Sequence, residues 1–137
     1  MNTSVIVAFI DEKDANYGKA VEMLNQLEGY WKVISELVLV ELASAFSRAG
    51  FSEPMELTFY SVRRCGARLA SIDFSRVICT ALLYSRELMM RKLDLLHVAF
   101  CCIIGATVFA TLDRELARRK NAIANLLGIE VLHSLSG

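Results

Sequence analysis

The sequence predicts a helix-rich α/β fold, a three-layer α/β/α sandwich around a mainly parallel central sheet, as one domain over residues 1–137. Three observations predict it. Short apolar runs rich in β-branched residues alternate with one or two longer segments of helical period, which is the pattern of strands joined by helical crossovers. Seven Gly and one Pro in 137 residues are few chain breakers, which suits long helices with short connections. A chain of this length supports one ordinary core, and no repeat or Ser/Pro-rich linker divides it.

Taken in order, residues 3–10 form an apolar run with Val, Ile and Phe, short enough for a buried strand. It opens almost at the first residue, so this first strand looks clipped. Residues 14–27 place Tyr17, Ala20, Val21, Leu24 and Leu27 at helical spacing behind Asp14 as N-cap. A short β-type run follows over 31–35. Ser35 can then cap a helix over 36–48, with Val38, Leu39, Leu42, Ala45, Phe46 and Ala49 on one face.

Ser52 and Pro54 open a helix to about residue 67. Residues 69–72 read as a strand, and Asp73 caps a helix over 75–89 in which Val77, Ile78, Ala81, Leu82 and Leu88 keep the period. Residues 92–104 are apolar on nearly every side and read as a buried helix stopped by Gly105. Residues 107–111 form a buried strand. Asp113 begins the last helix, Gly128 stops it, and 129–132 is the final strand.

Composition sets limits on function. Hydrophobic residues make up 55 % of the chain, and mean hydropathy is +0.42, which excludes a disordered chain. Fifteen Lys+Arg balance fifteen Asp+Glu, so no bulk charge attracts a polyanion and any anionic partner must be held locally. The long apolar stretch 95–112 is broken by His97, Gly105 and Thr107, which argues against a membrane span. Met1-Asn2-Thr3-Ser4 lacks the basic start of a secretory signal, so a cytoplasmic protein is expected. Cys65, Cys79, Cys101 and Cys102 lack zinc-ligand spacing and read as reduced, small core residues.

Three carboxylates stand out against this apolar background. Glu41 interrupts an apolar helix and falls at the rim of its apolar face; a lone Glu there is most simply a solvated side chain. Asp94 opens the all-apolar helix, where the helix N-terminus alone would favour an acid. His97, three residues on, reads as a core or supporting histidine rather than a ligand. Asp113 follows a buried strand and can be an N-cap, yet the carboxyl end of a parallel strand is also where this fold class binds ligands.

Two Asp and one Glu converging on one edge would repel unless a hard cation lay between them. Mg²⁺ or Mn²⁺ suits such an all-oxygen set, and can polarise a phosphodiester and activate water. Basic residues cluster at Arg63, Arg64 and Arg68, at Arg91 and Lys92, and at Arg114, Arg118, Arg119 and Lys120. Most suit solvated helix faces, whereas Arg91, Lys92 and Arg114 lie close enough in sequence to the acids to reach phosphates.

Four pieces occur in an order that resembles the PIN-domain nucleases, particularly the VapC-like toxins of toxin–antitoxin pairs. They are Asn2-Thr3-Ser4-Val5-Ile6-Val7-Ala8-Phe9, Ser35-Glu36-Leu37-Val38-Leu39-Val40-Glu41-Leu42-Ala43, Leu93-Asp94-Leu95-Leu96-His97-Val98-Ala99 and Ala110-Thr111-Leu112-Asp113-Arg114-Glu115-Leu116-Ala117. Each fragment alone is common; the order, across nearly the whole chain, carries the resemblance.

The resemblance implies that Glu41, Asp94 and Asp113 match three of four acidic positions that bind divalent metal and hydrolyse RNA. It further implies a homodimer and, for the toxins, neutralisation by a small antitoxin protein. The first motif departs from the pattern: Asn2 stands where the family carries Asp, two residues ahead of Ser4. An amide offers a neutral oxygen without charge, so metal affinity and water activation should fall. Either the site is weakened, or the true chain begins a few residues earlier, in which case Asn2 would still be Asn.

The expected assignment is thus a metal-dependent endoribonuclease attenuated at Asn2. Glu41, Asp94 and Asp113 are catalytic, Asn2 is a neutral metal or water ligand, and Ser4 and Thr111 orient the carboxylates. The rival is a catalytically degenerate PIN fold acting as a binding module. Phosphoryl transfer of the dehalogenase or receiver type is disfavoured: Asn2-Thr3-Ser4 is not D-x-D, and Ser35-Glu36 supplies no phosphoacceptor Asp.

Overall fold

The computed structural model describes residues 1–133. It contains eight helices and four short strands in the order α1(Thr3–Ile10), α2(Tyr17–Gln26), β1(Val33–Ser35), α3(Glu36–Arg48), α4(Pro54–Arg64), β2(Arg68–Ala70), α5(Phe74–Leu88), α6(Lys92–Ile103), β3(Val108–Thr111), α7(Arg114–Ala117), α8(Lys120–Leu127), β4(Glu130–His133). All strand pairing among these residues is parallel: β1 pairs with β2, in register Val33 with Arg68, and β3 pairs with β4, in register Val108 with Glu130.

The two pairs are bridged at one point. The Met1 ammonium donates to Val33 O at 3.0 Å, and the next amide, that of Asn2, donates to Ala110 O at 2.9 Å. Alternate donation to left and right is what one strand does between two neighbours. Met1 and Asn2 therefore occupy the position of a central strand, with β1 on one side and β3 on the other.

Neighbouring residues of β3 show the layering. Phe109 packs with Val77, Val98, Phe100 and Ile123 of α5, α6 and α8, while Ala110 packs with Val5, Ala8, Ala20 and Met23 of α1 and α2. A strand whose successive side chains enter two helical cores lies between two helical layers, which is the predicted sandwich. Ile6, Ile34, Val38, Leu42 and Phe46 complete the core on the α1 side.

The run over 3–10 is a helix, not the strand its composition suggests. Asn2 caps it, accepting from the Ser4 N–H at 3.0 Å. Val5 and Ile6 are both fully buried but in different clusters, so the helix is enclosed on more than one side. An apolar run of that kind has no period that separates it from a buried strand. Replacing Ile6 with Ala should cost about 2–5 kcal/mol in urea unfolding, because it leaves a cavity in a closed core; a loss under about 1 kcal/mol would mean that α1 is peripheral.

Other boundaries moved for local reasons. Helix α4 ends at Arg64 because Gly66 turns the chain at φ +68°, with the Ala67 N–H closing onto Val62 O. The single helix expected after Asp113 is split, the Arg119 N–H bonding tightly to Leu116 O between α7 and α8. Asp14 does not cap α2; its carboxylate accepts from the Asn16 N–H in a turn. Ser35 precedes α3 but makes no capping bond, and its hydroxyl is buried without a partner. Cys65 and Cys101 are buried as expected, whereas Cys79 is exposed; all four cysteines are free. No helix among the described residues is long and apolar enough to cross a membrane.

Candidate active site

The carboxyl ends of β1 and β3 and the extended Met1–Asn2 segment open onto one edge, where the first turns of α1, α3, α6 and α7 begin. Parallel strands make this edge by construction for α1, α3 and α7, since a helix that follows a strand starts there, whereas α6 follows α5 and has its first turn tied to the edge by Arg91. Helix N-termini also carry partial positive charge, so acids gathered on them are favoured.

Asp94 lies in the first turn of α6 and Asp113 is the N-cap of α7. They face each other across a shared cation: Arg91 Nη2 is 3.4 Å from Asp94 Oδ2 and 3.6 Å from Asp113 Oδ2. Arg91 stands just after Met89, which takes a left-handed φ of +52° at the end of α5. Burial pushes the Asp94 carboxyl above its ordinary pKa, and the charge of Asp113 adds to this; Arg91 opposes both. Asp113 is also a true cap, its Oδ1 accepting from the Glu115 N–H at 2.9 Å. The capping role and the placement at the strand-end edge thus coexist.

Glu41, in the second turn of α3, is held by other partners. Its Oε1 accepts from His97 Nε2 at 2.5 Å and from Thr3 Oγ1 at 2.8 Å. His97 is nearly fully buried on α6, one turn beyond Asp94, so it links the Glu41 side of the edge to the Asp94 side. Burial alone would raise the Glu41 pKa; the His97 hydrogen bond and charge, with the Thr3 bond, outweigh it and hold the carboxyl below its ordinary value.

That balance has a testable sign. A carboxyl whose folded pKa is depressed stabilises the fold above its unfolded pKa, and the stabilisation is lost as pH falls through the folded pKa. In His97→Gln the depression should shrink, so the acid limb of Tm against pH should move to higher pH, read between about pH 3 and 6. An unmoved acid limb would mean that His97 does not set the Glu41 charge.

Asn2 is buried at the end of the extended segment, and its Oδ1 is already engaged with the Ser4 N–H. Ser4 and Thr111 do not touch the carboxylates. Ser4 Oγ accepts from the Leu112 N–H and Thr111 Oγ1 from the Asp113 N–H, each at 3.0 Å. They fix the backbone that presents Asp113, one bond removed from the orienting role expected of them. Thr3 is not marked by the sequence, where a hydroxyl at the first position of α1, next to a cap, is its only local signal.

The donor set is hard oxygen throughout. Asp94 and Asp113 fit a small hard cation, because a cationic group, the Arg91 guanidinium, already stands between them. Glu41 reaches that pair through His97 rather than directly, and among the described residues no three Asp, Glu, His or Cys side chains are gathered closely enough to enclose an ion.

A family model described as PIN domain matches residues 2–122. That span takes in Asn2, Glu41, Asp94 and Asp113. No protein of curated function matches the chain.

Proposed function

The chain belongs to the PIN-domain family, whose members are in general nucleases, and from this premise we propose that it is a divalent-metal-dependent endoribonuclease resembling the VapC toxins. The observation that carries this reading is the Asp94–Asp113 pair sharing one cationic group at the strand-end edge. Those two carboxylates would hold Mg²⁺ or Mn²⁺, and Glu41 and the free lone pair of Asn2 Oδ1 add oxygen acceptors at the same edge without closing on the pair. Bound there, the ion supplies polarisation of the phosphodiester and activation of water.

The rest of the chemistry belongs to the chain. Arg91, its side chain 69 % exposed, can leave the acids and pair with a phosphate oxygen of RNA. Lys92 and Arg114 begin the two helices that carry the acids, and add positive charge at the same edge. A polyanion is therefore bound locally by a chain of zero net charge. His97 and Thr3 keep Glu41 ionised and oriented, while Ser4 and Thr111 hold the turn at Asp113. A homodimer neutralised by a small antitoxin in the cytoplasm follows from the VapC-like reading.

The direct test is cleavage of structured RNA with Mn²⁺ by the native protein and by Glu41→Gln. A loss of about 10–100-fold is expected; equal rates would remove Glu41 from the site. A second reading, a PIN fold that binds without cutting, is favoured by Asn2, an uncharged residue whose oxygen already serves as a helix cap. Absence of Mn²⁺-dependent cleavage by the native protein, with RNA binding retained, would select it.

A further inference from the structure

The starts of β1 and β2 lie at the end of the sheet opposite the acids, and there two aromatic rings stand in water. Trp31, just ahead of β1, is 77 % exposed, and Tyr30 beside it is 53 % exposed. Arg68, the first residue of β2, holds its guanidinium carbon 4.4 Å from the centre of the Trp31 ring. Its N–H donates to Lys32 O at 2.7 Å, which fixes the two strand starts side by side. We propose that these strand starts form a binding site for single-stranded RNA, with a base stacked on the free face of Trp31 and phosphates held by Arg68, Lys32 and Arg64. The choice of RNA as the polymer rests on the ribonuclease reading.

The Trp31–Arg68 pair suits a nucleotide on both counts. A ring with a cation over one face keeps its other face for a base, and the planar guanidinium keeps N–H edges for a phosphate. An exposed pair of this kind contributes little to the fold, whereas a base on the far side would turn it into a three-layer stack.

Positive charge continues around the strand ends. Successive residues of an extended chain face opposite sides, so Lys32 turns away from Trp31, and its stem lies 3.5 Å from where a side chain on Gly66 would begin. On that side Lys32 and Arg64 line a hollow of about 290 Å³ together with Phe9, Leu24 and Glu28. Glu28 supplies a negative charge to this lining, yet among the described residues Lys32, Arg64 and Arg68 form no ion pair. Cations without partners beside exposed rings are what holds a single strand regardless of its sequence. An apolar protein surface fits worse, because it would bury those cations unpaired.

The site is separate from the acids. Four residues at about 3.3 Å each put Trp31 about 13 Å from Ser35, where β1 meets the catalytic edge. RNA held at Trp31 therefore needs no metal, and a strand that reaches both ends of the sheet is gripped twice.

Trp31 is the sole tryptophan of the chain, so its own fluorescence reports the stack. The test titrates the full chain, in EDTA, with a single-stranded RNA of about 12 nucleotides. Saturable quenching is expected, and its absence would overturn the proposal. The same RNA as a duplex, and polyglutamate as an anion without bases, should quench far less; equal quenching by either would also overturn it. By anisotropy of labelled RNA, Trp31→Ala should weaken binding about tenfold. Arg68→Gln should weaken it and lower the slope of log Kd against log salt by about 0.7. Unchanged affinity in both variants would again overturn the site. Because EDTA prevents metal-dependent cleavage, the two readings separate. Lost quenching with Mn²⁺-dependent cleavage intact overturns this site alone; quenching without cleavage supports the site and overturns the nuclease.

Discussion

Asp94→Asn should reduce Mn²⁺-dependent RNA cleavage by about 100-fold or more while making the metal-free protein more stable at neutral pH. The two effects share one cause. Asp94 is partly buried and faces Asp113, so its negative charge is costly to the fold and is tolerated for what it can hold. Because its folded pKa is raised, the penalty is present above the folded pKa and vanishes below the unfolded value. The Tm advantage of the Asp94→Asn variant should therefore be largest near neutral pH and fade as the solution is acidified through the carboxylate range. Cleavage undiminished in Asp94→Asn would sink the active-site assignment; a Tm advantage that persisted unchanged into acid would show that repulsion is not its source.

Asn2→Asp should have the opposite sign on function. The side chain is buried at the strand-end edge, and Asp can accept from the Ser4 N–H as Asn does, so the cap on α1 survives the change. What is gained is a charge and a second oxygen free of the cap. Mn²⁺ affinity should rise about tenfold or more, and cleavage with it. Isothermal titration with Mn²⁺, read beside RNA cleavage, distinguishes the outcomes. Unchanged affinity would mean that position 2 does not face the ion. Activity appearing only in Asn2→Asp would establish the native chain as a binding form of the fold.

Much of this is legible in the order of the amino acids alone. The helices over 36–48, 75–89 and 92–104 show a clear period or an all-apolar face, and the structure places them within a residue of those bounds. Glu41, Asp94 and Asp113 are conspicuous because charges set into apolar runs need a reason. Their partners were less legible. Thr3 lies 38 residues from Glu41 and His97 lies 56 away, so nothing local couples them. Ser4 shows the same limit, since its bond to the Leu112 N–H spans 108 residues.

The order of most helices and strands, the family resemblance and the acids set into apolar runs are all written in the chain itself. Local period, caps and burial preference act within a few residues, and they are sufficient for those features. Three features came from folding in space: residues 3–10 are helical, Arg91 lies between Asp94 and Asp113, and Glu41 is tied to His97. Each depends on which elements become neighbours, because burial on several sides and charge across a cleft override local preference.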